Sequence, residues 1–282
     1  AWIAGASGMV CQSVTCYTDP GFAATAMGAL AASGLLVFAR GIPIPWRILL
    51  WGAALGLLAG AKGTGAPFAA VLAFSVAVVV LVQGRDQWKR WLLRLGLAGC
   101  IALTVGGYWY IRNAIFTGNP IHPIELKFGE KVLFPGYNRV DFVEANLPAW
   151  LAAYPRPLRM PISWLQLDAP IQGYDPVGGL GFVWLFGCLP AILLLVILLP
   201  RRRSDPHFLR FLFFGALAVL LLASQTSPWW SRFTMWLLAL GLPSLAWVLQ
   251  IGGTAGKRWL RPGALLLLAA ASGLAIWESN RT

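Results

Sequence analysis

Apolar runs of helical length alternate with short cationic breaks along this chain, and one long polar stretch interrupts the series. The runs cover 21–39, 46–61, 66–83, 91–111, 178–199, 208–224, 233–251 and 263–277. A membrane helix needs about 20 apolar residues, within a range of about 17–25, so each run predicts a span. The run at 46–61 is short and would stand upright or end early. Residues 1–15 predict a partial span or a re-entrant piece. The pattern thus predicts an all-α polytopic membrane protein of about eight transmembrane helices. Three parts follow: an N-terminal transmembrane bundle at 1–111, one large external loop of short helices at 112–177, and C-terminal transmembrane helices at 178–282.

The loop carries most of the polar character. Loops longer than about 12–15 residues are usually functional or disordered, and this one is rich in Pro, Trp and Tyr, which predicts a folded cap. Short helices are expected at 141–146, from Pro148 to Tyr154 and at Pro161–Leu167, with no strands of weight. Pro148 suits a first helical position, and such pieces would lie on the membrane surface with their aromatics down.

Composition agrees: 58% of residues are hydrophobic and 11% charged, where a soluble domain carries roughly 25% charged residues. A net charge of +12 would suit nucleic acid. Here the cations sit between apolar runs, which is the positive-inside pattern, so no nucleic-acid partner is expected. Arg40 and Arg47, then Arg85, Lys89, Arg90 and Arg94, then Arg201, Arg202, Arg203 and Arg210, then Lys257, Arg258 and Arg261 mark the cytoplasmic side. The loop then faces the opposite side. Cys11, Cys16, Cys100 and Cys188 have neither metal spacing nor a disulfide framework and predict buried, inert thiols.

Small residues predict helix contacts. Gly52, Gly56 and Gly60 fall on one face, as do Ala24, Gly28 and Ala32, and close backbone packing is the usual reason. Pro190 and Pro243 predict kinks. Trp46, Trp51, Trp88, Trp91, Trp109, Trp229, Trp230 and Trp259 fall near helix ends, as an interfacial belt would.

The candidate chemistry lies on the non-cytoplasmic rim. Asp19 precedes Pro20 at a helix start. It reads either as an N-cap or as an acid that takes a proton or holds a divalent metal. Lys62 follows an all-apolar helix in Gly-Ala-Lys-Gly-Thr-Gly. It reads either as a snorkelling lysine or as an anion site shared with backbone N–H groups. Arg112 and Arg232 end or begin spans and are interfacial anchors or phosphate ligands. Together these four charges suit an anionic lipid head group. His122 reads as structural, as a ligand or as a base, and Glu125, Asp168 and Asp175 are further acids of the loop. No HExxH, GxSxG, paired-cysteine or GxGxxG motif is present.

Several ordered motifs resemble the GT-C membrane glycosyltransferases, in the bacterial branch of protein mannosyltransferases and lipid A aminoarabinose transferases. They are Tyr17-Thr18-Asp19-Pro20, Gly60-Ala61-Lys62-Gly63-Thr64-Gly65, Tyr108-Trp109-Tyr110-Ile111-Arg112-Asn113 and Gly118-Asn119-Pro120-Ile121-His122-Pro123. The likeness covers residues 10–125. It implies transfer of a sugar from a polyprenyl-phosphate donor to an acceptor at the outer face of the bacterial inner membrane, with the large loop in the periplasm. It implies Asp19 as catalytic acid near the donor, holding a divalent metal if one is used. Lys62, Arg112 and Arg232 would bind the donor phosphate, and Asn113, Asn119 and His122 would line the acceptor side. The family's catalytic base is an acidic side chain of a first external loop. That loop would precede Ala1, where the chain opens inside an apolar run, so a longer protein is expected.

Two other functions fit the residues. One is a non-catalytic GT-C-like subunit of a larger membrane complex, which an upstream loop without paired acids would favour. The other is a flippase for lipid-linked sugars, which needs charged or broken helices at the midplane.

Overall fold

The computed structural model describes residues 19–136, 147, 149–165, 180–198, 206–223 and 231–254. Its contacts group into two compact units. One is Ala24–Leu147 with Val219–Thr226; the other holds Ala1–Ala23, Pro148–Ala218 and Ser227–Thr282. The described residues are overwhelmingly helical.

The first unit is built on α1 (Asp19–Phe38) from Ala24 onward, α2 (Ile44–Ala61), α3 (Gly65–Gln83) and α4 (Trp88–Gly106). Three of these are long and apolar enough to cross a membrane: Pro20–Phe38, Ile44–Ala61 and Gly65–Gln83. The run expected to be short, α2, gains length because Pro43 caps it and a second proline, Pro45, sits in its first turn, where a missing N–H costs nothing. Its 18 residues span about 27 Å. Arg47 then reaches back, its Nη1 donating to Leu36 O at 3.1 Å. That places a cation on one of the open carbonyls of α1.

Glycine decides which helices touch. A Cβ on Gly52 would lie 2.7 Å from Ala98 O, and one on Gly56 would lie 2.6 Å from Ala102 O. The predicted Gly52/Gly56/Gly60 face therefore packs α2 against the backbone of α4. On the parallel face of α1 only Ala32 is buried among the described residues. Ala24 and Gly28 are exposed, and a Cβ on Gly28 meets nothing within 4 Å among the described residues. Trp51 also departs from the expected interfacial belt. It is 2% exposed, and its indole N–H donates to Ser33 Oγ at 3.1 Å. Ser33 Oγ in turn donates to Ala29 O at 2.7 Å, so the pair is a satisfied polar link inside an apolar core.

The run expected at 91–111 is not one straight helix. It breaks at Gly107 and turns by 65° into α5 (Tyr108–Thr117). Gly106 at the break lies against the Gly56 backbone, and a Cβ on Gly107 would strike Leu103 O. Counted as one span, the bent pair raises the membrane-length helices to four. The loop beyond α5 holds an antiparallel hairpin, β1 (Leu126–Phe128) and β2 (Lys131–Phe134), where no strand was expected. Gly129 opens its two-residue turn with φ +60°.

In the second unit, α6 (Ala149–Ala152) is followed by α7 (Arg156–Trp164), which runs through Pro161. Gly181–Val183 leads through a π turn at Trp184–Cys188 into α8 (Leu189–Leu198). Pro190 cannot donate to Phe186 O. Just before it, Leu189 N–H donates to Trp184 O, a longer closure typical of π turns. Then come α9 (Pro206–Ala223), which belongs to this unit as far as Ala218, a 3-10 segment at Ser231–Leu237 and α10 (Leu238–Thr254), with Pro243 inside α10. Gly241 brings α10 onto Cys188, whose Sγ would lie 2.7 Å from an added Cβ. Cys188 is buried as expected, whereas Cys100 is exposed. The expected helices at 141–146 and 263–277 and the piece at 1–15 lie outside the described residues.

Candidate functional site

The site begins where α2 stops. Lys62 is extended, with φ −161° and ψ 154°, and Gly65 N–H donates to Lys62 O at 2.7 Å. A Cβ on Gly65 would collide with Leu58 O. The turn is therefore tight, and glycine is required where α3 starts against the end of α2.

The 65° bend brings α5 across the end of this turn. Tyr110 Oη donates to Ala59 O at 2.6 Å, satisfying one of the last carbonyls of α2. Trp109 and Asn113 share the same side of α5, being one turn apart. Gly118 then ends α5 in the left-handed region with φ 69°, its N–H donating to Ala114 O, the usual glycine stop.

Past Gly118 the chain is held by one amide. Asn119 is 1% exposed. Its Nδ2 donates to Ile124 O and Pro135 O, both at 2.9 Å, and its Oδ1 accepts from Ile121 N–H at 2.9 Å. Thr117 Oγ1 accepts from Asn119 N–H at 3.3 Å and donates to Asn113 O at 2.7 Å. Gly136 closes the loop, since a Cβ there would meet Pro123 O at 2.5 Å. The His122–Pro123 peptide is cis. Asn113 Nδ2 donates to His122 O at 3.3 Å and ties this turn back to α5.

The result is a cleft of about 290 Å³, walled by Lys62 and Gly63 on one side, Trp109, Tyr110 and Asn113 on the second and His122 on the third. A second, almost wholly apolar groove of about 410 Å³ runs between α2, α3 and α4 and shares Ala59 and Tyr110 with the cleft. Among the described residues that line the cleft, none is a carboxylate. Its described ionisable groups are the Lys62 ammonium, the Tyr110 phenol and the His122 imidazole, and the ammonium suits an anion. A single imidazole and one amide make a poor donor set for a divalent cation, and no cluster of three or more metal-ligating side chains exists among the described residues.

Of the residues singled out in the sequence, Lys62, Asn113 and His122 are brought together. Asn119 stands behind the wall and braces it. Arg112 turns to the neighbouring face of α5, its Cζ 5.5 Å from both the Trp109 and Phe116 rings. Glu125 pairs with Lys127 Nζ at 2.8 Å on the hairpin. Asp19 and Arg232 belong to the other unit, and their side chains, with those of Asp168 and Asp175, lie outside the described residues. Sequence reasoning passed over Tyr110 as a wall residue; the signal was the aromatic run 108–110 directly before Arg112-Asn113. Compared with known protein families, curated proteins and solved structures, the chain matches none.

Proposed function

We propose that the chain is the donor-binding part of a GT-C-like transferase that takes a sugar from a polyprenyl phosphate at the outer face of a bacterial inner membrane. The observation that carries this reading is the cleft holding Lys62, which opens beside the apolar groove at the end of membrane-length helices. A ligand with a phosphate head and a hydrocarbon tail has use for both. In this reading about eight spans cross the membrane, and the 112–177 loop is periplasmic.

Lys62 and the N–H of Gly63 would hold the donor phosphate; the phosphate roles of Arg112 and Arg232 rest on the family resemblance alone. The acceptor hydroxyl oxygen attacks the anomeric carbon while the bond from that carbon to the phosphate oxygen breaks, and the hydroxyl proton passes to the carboxylate base that the resemblance places in the first external loop. The phosphate leaves with the electron pair, and Lys62 neutralises the charge it gains. Asp19 orients the donor, or a metal if one is used. Asn113 and His122 line the acceptor side, and Asn119 holds the turn that carries His122.

The flippase alternative gains nothing from the break at Gly107. The 19 residues of α4 already cover about 28 Å, so the break falls at the end of the span and not at its midplane. Turnover of a polyprenyl-phosphate sugar by the full-length protein tests the proposal. Lys62→Ala and Asp19→Asn should each lower it by at least tenfold, the scale of losing one charge-stabilising group. Undiminished turnover in both variants removes the assigned roles. No turnover by the unaltered protein, with donor still bound through Lys62, favours the non-catalytic subunit.

A further inference from the structure

We propose that the outer face of the α4 N-terminus is a docking site for an anionic diacyl phospholipid. It lies at the opposite end of α4 from the cleft, about 27 Å away along 18 residues of helix, and does not depend on the transferase reading.

A 3-10 turn at Arg85–Gln87 joins α3 to α4. Between 85 and 94 the chain carries Arg85, Lys89, Arg90 and Arg94 against the single acid Asp86. Arg94 Cζ lies 4.9 Å from the Trp91 ring centroid, and Lys89 Nζ lies 5.7 Å from that of Trp88. The Trp91 indole fills the space over Gly84 and so fixes the corner between the helices. Arg85, Lys89 and Arg90 are exposed.

The same face changes character one turn along. Leu93 is 77% and Leu97 56% exposed, and at 3.6 residues per turn they lie below Lys89 and Arg90. An acidic soluble partner would leave this leucine strip unused, and a neutral lipid would leave the cations unused. A phospholipid with a negative head group satisfies both. The head sits on Arg85, Lys89 and Arg90, and one acyl chain lies along Leu93 and Leu97. Trp88 stands at the interfacial level that aromatic rings favour.

Native mass spectrometry of the full-length protein, released from micelles containing equal phosphatidylglycerol and phosphatidylcholine, reads the preference directly. A cation at the membrane surface contributes about fivefold to anionic-lipid binding, so three predict a preference on the order of 100-fold. Lys89→Gln with Arg90→Gln should lower it about 25-fold, while Arg40→Gln, a cation on another loop, should leave it unchanged. If the double variant fails to fold, raised salt on the unaltered protein should erode phosphatidylglycerol retention alone. Equal retention of the two lipids overturns the proposal. So does an unaffected double variant, salt-insensitive retention, or an equal loss in Arg40→Gln. Glycerol phosphate that displaces phosphatidylglycerol at equal concentration would also overturn it, because the leucine strip would then contribute nothing.

Discussion

Replacing Asn119 with alanine tests whether one amide holds the loop wall of the cleft. The change removes three hydrogen bonds of 2.9 Å and orphans Ile124 O, Pro135 O and Ile121 N–H. Pro135 is exposed and the other two residues are half-buried, so water can replace only the first bond cheaply. Each remaining bond contributes about 1 kcal/mol, and a buried orphan costs up to about 3 kcal/mol. The loop should therefore lose about 2–3 kcal/mol of local stability while the helices keep theirs. Amide hydrogen exchange followed by mass spectrometry measures this locally. Peptides within 118–136 should exchange about 30–150-fold faster, and those from α2 and α3 should not change. Asn119→Asp keeps the acceptor for Ile121 but loses both donations and buries a charge, so it should exchange at least as fast. If both variants exchange within about threefold of the unaltered protein, the loop is held by something else and the bracing role is wrong.

Other outcomes follow from the helices. Gly56→Ala forces a methyl to within 2.6 Å of Ala102 O and should destabilise by about 1–3 kcal/mol. Gly28→Ala meets open space and should be neutral or stabilising by up to about 1 kcal/mol; thermal unfolding in detergent compares the two. Ser33→Ala strands the buried Trp51 indole N–H and should cost about 1–3 kcal/mol. A double-mutant cycle with Trp51→Phe should recover about 1 kcal/mol of coupling, and a cycle that closes at zero would refute the link.

The long apolar runs were legible because proline, glycine and arginine punctuate them. The runs at 21–39 and 66–83 became Asp19–Phe38 and Gly65–Gln83 almost without change. The break at Gly107 was hidden because hydropathy runs smoothly through it. Its cause is tertiary, the seating of Gly106 on Gly56. The hairpin did leave a trace in the alternating Leu126-Lys127-Phe128 and the apolar Val132-Leu133-Phe134 around a Gly-Glu turn, which the expectation of short helices overrode. Trp51 shows the limit of reading a belt from sequence. A tryptophan near a span's start can face lipid or core, and only the partner hydroxyl at Ser33 decides. Lys62 and His122 were separate candidates whose meeting depended on a bend that sequence did not reveal.

The two walls of the cleft are anchored differently. Lys62 is fastened to the bundle by a turn with no slack, whereas His122 hangs from a strap cinched by Asn119 and stiffened by the β1–β2 hairpin. Lengthening the chain at Gly129–Glu130, the hairpin tip, should therefore leave the cleft as it is, whereas an insertion between Gly118 and His122 should shift His122 relative to Lys62.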